Sequence, residues 1–386
     1  MTPLATPLSI AAAGMTCSLG LRSDEACASA RAGVVRVSQV TTLNTEIDPA
    51  FAKETIDGVP PFVAHVAPIV GSGFSGVGKL LAMAQPALEF LIRKAALDQA
   101  SLAQTGLCVC VPESFYLNRY GLPVEPLGPE PLPDAQKQRR HLHAQIANRL
   151  CDSLQLPIPA KARWVSGSGR LGLLGALQQA SNWIASGEVK RCIVGGIDSL
   201  IEPSVLQACA QAGVLKTDAN PVGFMPGEAA AFVLLEPATG HTDVLQIMSM
   251  GHALDAAYLD PEQQPLGRGI TQVVQQAMAG STQHQAQREA MAGLLITDLN
   301  GTEPRANDWG HALVRLREEL GEFDAQLWLP VDSFGETGSA CGSVALCMAF
   351  EAARRKRLPA STALLVLCAD DGGRGALLLQ APQIRH

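Results

Sequence analysis

The feature of this sequence that most constrains its fold is a unit that occurs twice. The first copy has an apolar run at 163–166, a turn of small residues, a helical stretch and a second apolar run at 192–196. The second copy has the same order, with apolar runs at 327–331 and 364–367 on either side of its helical stretch. Two such units predict a pseudo-two-fold α/β domain, with a site where the two small-residue turns converge.

Short apolar runs and helical stretches alternate along the rest of the chain. Apolar residues make up 47% of it and charged residues only 17%, which excludes general disorder. The alternation predicts an α/β fold with largely parallel strands covered on both faces. The predicted strands are 8–13, 106–111, 162–166, 191–195, 229–235, 293–298, 325–330, 363–367 and 376–379. The predicted helices are 25–32, 78–96, 141–154, 171–186, 269–279, 309–320 and 339–356.

The net charge and the cysteine pattern limit which partners the protein can bind and which cellular compartment it occupies. A formal net charge of −7 argues against nucleic acid as a partner, because phosphate binding takes a basic face. The ten cysteines are scattered without a CxxC pair, which predicts reduced, buried thiols in a cytoplasmic protein. No apolar stretch approaches the roughly 18 residues of a membrane span, so no membrane partner is expected. The proline-rich stretch 123–134 predicts a loop.

The residues that carry common site chemistry are few. None of the eight histidines stands at a metal-ligand spacing, and the chain has neither a Walker-type phosphate loop nor a GxSxG elbow. The sequence therefore implies no metal and no cofactor. Ser166 and Ser168 precede a predicted helix and are candidate nucleophiles, because a helix N-terminus stabilises an anion. Alternatively, their turn only caps that helix. His252 and His311 are the nearest candidate bases in chain order.

Several stretches together resemble the β-ketoacyl synthase branch of the thiolase superfamily, over nearly the whole chain. Residues 13–20 are similar to that family's first strand and "G-M-x-S-x-x-G" turn, and residues 194–199 to its "A-G-G-x-E-S". Residues 223–236 are similar to its "G-F-x-x-G-E-G-A" motif with the following "L-E". The resemblance implies a thiolase-like fold of two pseudo-symmetric halves, 1–240 and 241–386, which form a five-layered α-β-α-β-α core.

The resemblance also places other residues where the family has its catalytic groups. The cysteine nucleophile falls on Arg170, or on Ser166 if the register differs by one helical turn. The family's first histidine falls on Asn300 and its second on Ser339, and its lysine falls on Phe334. The resemblance thus implies that the Cys-His-His set is lost.

Loss of these groups bears directly on the family's reaction. Condensation needs a thiolate that accepts an acyl group and two imidazoles that stabilise oxyanions. Arginine cannot accept the acyl group, and Asn300 cannot transfer a proton. Cys341, two positions past Ser339, is expected to be a packing thiol. The resemblance therefore implies a non-condensing binding or scaffold protein. It leaves open an acyltransferase that uses Ser166 or Ser168 on an acyl-carrier-protein or CoA thioester.

Partners are likewise implied by the resemblance. The family pairs its subunits along the strand before the nucleophile, here 163–166, which implies a homodimer or pairing with a related synthase, as chain-length factors do. Acyl-carrier protein and acyl-CoA are the implied ligands. Residues 198–200, 226–231 and 335–340 together resemble, more narrowly, ketosynthase-like proteins of type VI secretion effector gene clusters. No secretion role follows from these residues.

Overall fold

The structure is a computed structural model, and the description below covers residues 4–40, 62–68, 70, 73–113, 141–217, 220–238, 244–258, 263–279, 293–320 and 325–381. The predicted loop at 123–134 lies outside these residues. The strands are β1 (Leu8–Thr16), β2 (Ser38–Val40), β3 (Phe62–Ala64), β4 (Thr105–Cys110), β5 (Arg163–Ser166), β6 (Arg191–Ser199), β7 (Glu228–Pro237), β8 (Gln246–Leu254), β9 (Leu294–Thr297), β10 (Gln326–Trp328), β11 (Thr362–Cys368) and β12 (Gly373–Gln380).

The helices lie between these strands in the alternating order that the sequence predicts. They are α1 (Ser23–Arg31), α2 (Gly76–Lys94), α3 (Gln99–Leu102), α4 (Ile146–Ser153), α5 (Gly172–Ala185), α6 (Pro203–Gln211), α7 (Arg268–Ala279), α8 (Glu303–Leu320), α9 (Val331–Phe334) and α10 (Cys341–Arg354). No helix within the described ranges is long and apolar enough to cross a membrane. All ten cysteines are buried and free of disulfides, which confirms the prediction for the thiols.

Ten strands are hydrogen-bonded in the order β10-β9-β11-β12-β8-β1-β7-β6-β4-β5. The β1–β8 ladder has only two residue pairs, Leu8–Ile247 and Ser9–Gln246, so it joins two five-stranded halves at their edges. Outward from this joint, the halves run β1-β7-β6-β4-β5 and β8-β12-β11-β9-β10. Both therefore have the same order of first, fifth, fourth, second and third strand. The predicted pseudo-two-fold fold is confirmed by this topology, whereas the boundary at 240/241 stays a prediction.

The prediction of largely parallel strands is wrong in part. Parallel pairs hold β4 to β5 and β6, and β9 to β10 and β11, but the remaining pairs of the large sheet are antiparallel. One reason is that a short turn joins β11 directly to β12, which only an antiparallel pair permits. Strand β8 and helix α6 lie outside the predicted elements. Ser249, Gly251 and His252 interrupt the apolar run of β8 and hide it from a pattern search.

Two helices form the central layer. α10 is buried along its length from Cys341 to Ala353, as expected of a helix that is apolar on nearly every side. α5 is buried on most of its surface and exposes Asn182. The apolar cluster around them takes residues from both half-sheets, among them Val194 and Leu365. Helices α2 and α4 cover the outer face of the first half-sheet, and α7 and α8 cover the second. The five layers follow from this arrangement.

The central layer fits together because one strand residue has no side chain. A Cβ atom on Gly196 of β6 would lie 2.2 Å from the carbonyl oxygen of Ser339. The backbone at the start of α10 therefore lies directly against β6, and only glycine leaves room for this approach.

We expect Gly196→Ala to lower the free energy of unfolding by about 1–3 kcal/mol, because the added methyl group must displace backbone rather than a flexible side chain. Gly310→Ala is the control. Gly310 is exposed within α8 with nothing within 4 Å of its Cβ position, so alanine should raise stability there by about 0.5–1 kcal/mol. Urea unfolding measures both, and a Gly196→Ala protein as stable as wild type would contradict the packing described.

Candidate functional site

Each central helix begins with the same turn. The segments Gly169–Leu171 and Gly338–Ala340 are short 3-10 turns, and their first residues have φ values of 52° and 51°, in the left-handed region that favours glycine. The two turns pack against each other. Arg170 and Ser339 therefore occupy equivalent positions in the two halves, and the predicted convergence of the turns is confirmed.

The strand order brings charged residues to these turns. β10, β9 and β11 are parallel neighbours, so their carboxyl ends meet at one sheet edge. Asp298 follows β9 and Asp370 follows β11, while Glu336 lies between β10 and α10. In the other half, Glu113 follows β4 and Arg170 follows β5. Polar side chains from both halves therefore lie at the same interior location, beside the two turns.

Arg170 is the central group of this location, with its side chain only 2% exposed. Its guanidinium donates to a Glu336 carboxylate oxygen at 2.5 Å. Carboxylate oxygens of Asp370 and Asp298 lie 3.7 and 3.9 Å from its terminal nitrogens. A charge buried to this degree is stable only when paired and hydrogen-bonded, which these carboxylates achieve.

A second guanidinium completes the group. Arg305, at the start of α8, donates to Asp370 at 2.9 Å and to the backbone carbonyl of Asp298 at 3.1 Å. It also lies 3.3 Å from the Asp298 carboxylate. We refer to Arg170, Arg305, Asp298, Glu336 and Asp370 as the charged cluster.

Glu336 uses both carboxylate oxygens. One accepts hydrogen bonds from Arg170 and, at 3.0 Å, from the backbone N–H of Gly338. The other accepts from the Asn300 side-chain amide at 2.8 Å. The Thr302 hydroxyl donates to the Asn300 carbonyl oxygen at 2.9 Å, which fixes the amide as a donor toward Glu336. Asn300 therefore supports a structural carboxylate.

Burial and charge act on the acids in different directions. Burial raises the pKa of Glu336, but Arg170 and Arg305 more than offset this, so its pKa lies below the ordinary value. Burial raises the pKa of Asp298 above its ordinary value despite both arginines. Burial also raises the pKa of Glu113 to about 7, against the opposing effect of Arg170. Arg170 and Glu336 therefore form the principal ion pair.

Burial is shared by the three other residues that the sequence analysis placed at or beside the family's catalytic positions, which are Ser339, Phe334 and Cys341. Ser339 is buried, donates its hydroxyl to the Ile197 carbonyl at 2.9 Å, and donates its N–H to Asp198 at 2.8 Å. Phe334 is fully buried in the central apolar cluster. Cys341 begins α10 beside the charged cluster, and burial raises its pKa well above the ordinary value. Ser339, Phe334 and Cys341 are thus all buried, and the role of Cys341 as a packing thiol stays a prediction.

Among the described residues, no hydrogen bond joins either candidate serine to the charged cluster. Ser166 is buried at the end of β5, and its hydroxyl accepts a hydrogen bond from the Ser168 N–H at 3.2 Å. Ser168 is exposed. Among the described residues, neither serine has a hydrogen bond to a histidine. His311 is exposed on α8 and His252 lies on β8 in the second half, and neither is hydrogen-bonded to Ser166 or Ser168, so neither is placed as the base of a serine.

The space beside the charged cluster is small. A cavity lined by Asp298, Glu336, Thr337, Cys341 and Leu367, among others, has a volume of about 10 Å³. This is about the space of one water molecule. This cavity therefore has no room for an acyl chain.

The sequence prediction found Arg170, Asn300, Ser339 and Cys341, which the fold does bring together. It missed the acids and Arg305, although their positions carried a signal. Each acid of the cluster stands in a polar turn after a predicted strand, where carboxyl ends of parallel strands meet.

Comparison with known proteins agrees with this architecture. Residues 172–241 match the sequence model of the β-ketoacyl synthase N-terminal domain. The fold is similar to that of a chain in a solved complex from a type II polyketide synthase. That complex is described as an acyl-carrier protein with its ketosynthase, bound to the hexaketide. That match has 12% identity, covers 97% of this chain and 99% of the other, and has a TM-score of 0.74.

Two further structures extend the comparison. The ishigamide ketosynthase/chain length factor has 17% identity, coverage of 99% and 100%, and a TM-score of 0.66. The ketosynthase from module 6 of the Bacillus subtilis bacillaene synthase has 13% identity, coverage of 98% and 72%, and a TM-score of 0.72. No curated protein matches the chain in sequence. The chain thus has the mixed α/β, thiolase-like fold of these ketosynthase structures over nearly its whole length.

We expect Arg170→Met to lower the free energy of unfolding by about 3–5 kcal/mol at pH 7, because Glu336 is left buried without its cation. The double variant Arg170→Met/Glu336→Gln should lose less than the single one, since Glu336 no longer carries a charge and Asp298 and Asp370 keep Arg305. The pKa of Glu336 is lowered from 4.5 in the folded protein, so its stabilising effect is present above about 4.5 and lost as the pH falls through the folded value. The difference between wild type and Arg170→Met should therefore shrink at pH 4. Urea unfolding measures it, and equal losses for both variants would argue against the pair.

Proposed function

We propose that this protein is a non-condensing member of the ketosynthase-like fold that acts by binding a partner. The observation that carries the proposal is the buried Arg170 guanidinium, which is held against Glu336 at 2.5 Å at the start of the central helix α5. Arg170 is equivalent by pseudo-symmetry to Ser339, the position that resembles the family's second histidine. This equivalence favours Arg170 over Ser166 as the position of the family's nucleophile.

The electrostatics of the site support this proposal. An arginine held by three acids cannot accept an acyl group, and its pKa lies well above the ordinary value, because Glu336 and Asp370 outweigh the effect of burial. Opening the site would separate this pair and leave a buried carboxylate without a cation, which costs several kcal/mol. The cavity of about 10 Å³ also leaves no space for a thioester substrate. The site is therefore built for stability rather than for turnover.

The alternative, a serine-dependent acyltransferase acting on an acyl-carrier-protein or CoA thioester, receives less support. Ser166 has its hydroxyl engaged with the Ser168 N–H, and the described residues supply no histidine base to it. Ser168 is exposed and also has no histidine partner there.

Acylation distinguishes the two functions. We expect no covalent adduct when the protein is incubated with acyl-CoAs or acyl-carrier-protein thioesters and analysed by intact-protein mass spectrometry. An active ketosynthase treated in parallel is the positive control. A mass increase of one acyl group on wild type that disappears in Ser166→Ala or Ser168→Ala would establish covalent chemistry and refute the non-condensing proposal.

The proposed partner is a second copy of this chain or a related synthase. β5 ends the strand order of the first half, so one of its edges has no strand partner among the described residues. Residues Arg163 to Val165 are half-buried there. A free edge of this kind readily pairs with another strand. One solved structure of this fold is a ketosynthase/chain length factor, which sets a precedent for pairing between related chains. The narrower resemblance to type VI secretion-associated proteins stays a prediction.

We expect the purified protein to be a dimer at micromolar concentration, with twice the chain mass of 40.5 kDa in multi-angle light scattering. Pairing along β5 buries an edge that otherwise leaves backbone groups to water. A monomer mass at that concentration, from protein with a cooperative unfolding transition, would contradict pairing with a second copy.

A further inference from the structure

A group of basic side chains lies at the end of the central helix α10 that is distant from the charged cluster. α10 runs for 14 residues from Cys341, beside the cluster, to Arg354, which is roughly 20 Å at 1.5 Å per residue. The ends of α1 and α2 lie near the same place. We call this group the basic patch, and it consists of Arg22, Arg31, Arg93, Lys94, Arg354, Arg355, Lys356 and Arg357.

The members of the basic patch are gathered around one acid. Asp24, at the start of α1, has a carboxylate oxygen 3.1 Å from Arg22 and 3.9 Å from Lys94. Arg355 donates to the backbone carbonyl of Asp24 at 3.0 Å. Burial and the neighbouring positive charge of Arg355 lower the pKa of Arg31. Arg31 therefore lies close enough to Arg355 to interact with it electrostatically. The patch is therefore one continuous surface rather than scattered charges.

The positive charge of the patch exceeds the negative charge of the acids and helix C-termini around it. The patch has eight cations, and the acids on the same three helices α1, α2 and α10 are Asp24, Glu25, Glu89 and Glu351, so the formal excess is four positive charges. Three helix C-termini lie here, and each contributes roughly half a negative charge. Together these helix C-termini offset less than half of the four excess positive charges. Because the whole chain has a net charge of −7, the remainder of the chain carries −11.

The patch is also open to solvent. Arg354, Arg355, Lys356 and Arg357 are all exposed at the end of α10. A shallow concavity of about 550 Å³ is lined by Arg22, Phe90, Arg93 and Lys94. The guanidinium carbons of Arg22 and Arg93 lie 5.2 and 5.7 Å from the centre of the Phe90 ring, which holds both side chains over one apolar surface.

We propose that the basic patch is a docking surface for a compact partner protein that presents a cluster of carboxylates. Six of its eight cations are arginines, whose planar forks bind carboxylates in bidentate geometry. A long polyanion such as DNA, or an anionic membrane, would also face the strongly acidic remainder of the chain and be repelled. A compact acidic domain touches only the patch.

The location separates this surface from the candidate site. A partner docked on the basic patch contacts none of the groups of the charged cluster, which lie about 20 Å away along α10. The proposal therefore goes beyond the non-condensing function and does not rest on it. It predicts a second contact of the protein, in addition to the edge of β5.

Binding of a fluorescent oligoglutamate peptide, measured by anisotropy at about 20 mM salt, tests the proposal, since low salt leaves surface charges weakly screened. We expect the full-length protein to bind it, and Arg93→Glu/Arg357→Glu to bind it at least tenfold more weakly. Both side chains are exposed and have no ion-pair partner among the described residues, so the variant should fold. Circular dichroism and thermal unfolding check this.

Lys190→Glu/Arg317→Glu is the matched control, with the same change of charge at exposed positions outside the patch. It should bind oligoglutamate within about twofold of wild type. An equal loss in patch and control variants would show a general charge effect and overturn the proposal, as would no binding by wild type. Tighter binding of duplex DNA, or of vesicles containing phosphatidylserine, than of oligoglutamate would overturn the assignment to a carboxylate-bearing protein.

Discussion

The ion pair between Arg170 and Glu336 is the interaction on which the interior of this protein depends. It joins residues 166 positions apart, one from each pseudo-symmetric half, at the start of the two central helices. Neither charge is stable in this location alone, because taking an ion out of water costs more than packing returns. The backbone N–H of Gly338 and the amide of Asn300 complete the bonding of Glu336, so the pair also fixes the turn before α10.

The fold follows closely from the sequence because its elements are long and strongly patterned. Strands such as β11 are apolar throughout and lie in a sheet covered on both faces, while α10 is apolar on every side and lies in the central layer. The repeated unit, with its two small-residue turns, predicted the pseudo-two-fold arrangement. β8 was missed because its apolar run is interrupted by Ser249, Gly251 and His252, so its place beside β12 depends on partners distant in sequence.

The candidate site was predictable only in part. Resemblance and the repeated turn led to Arg170, Asn300 and Ser339, which do converge. The partner of Arg170 could not be found from one sequence, since a salt bridge across 166 positions leaves no local pattern. Topology supplies the missing step, because Asp298 and Asp370 follow adjacent parallel strands whose ends must meet. The two ends of α10 then differ in character, with a closed and buried charge network at one end and an exposed basic surface at the other. This polarity fits the proposed binding function, in which the interior supports the shape of the protein and the surface contacts the partner.

The most direct test of this account is a high-resolution crystal structure of the wild-type protein. The account predicts the Arg170 guanidinium within hydrogen-bonding distance of Glu336, with Arg305 beside Asp370 and space for no more than ordered water next to Glu336. An Arg170 side chain turned away from Glu336, with an open channel from the surface to Ser166, would contradict the account and restore a serine-based enzyme as the better explanation.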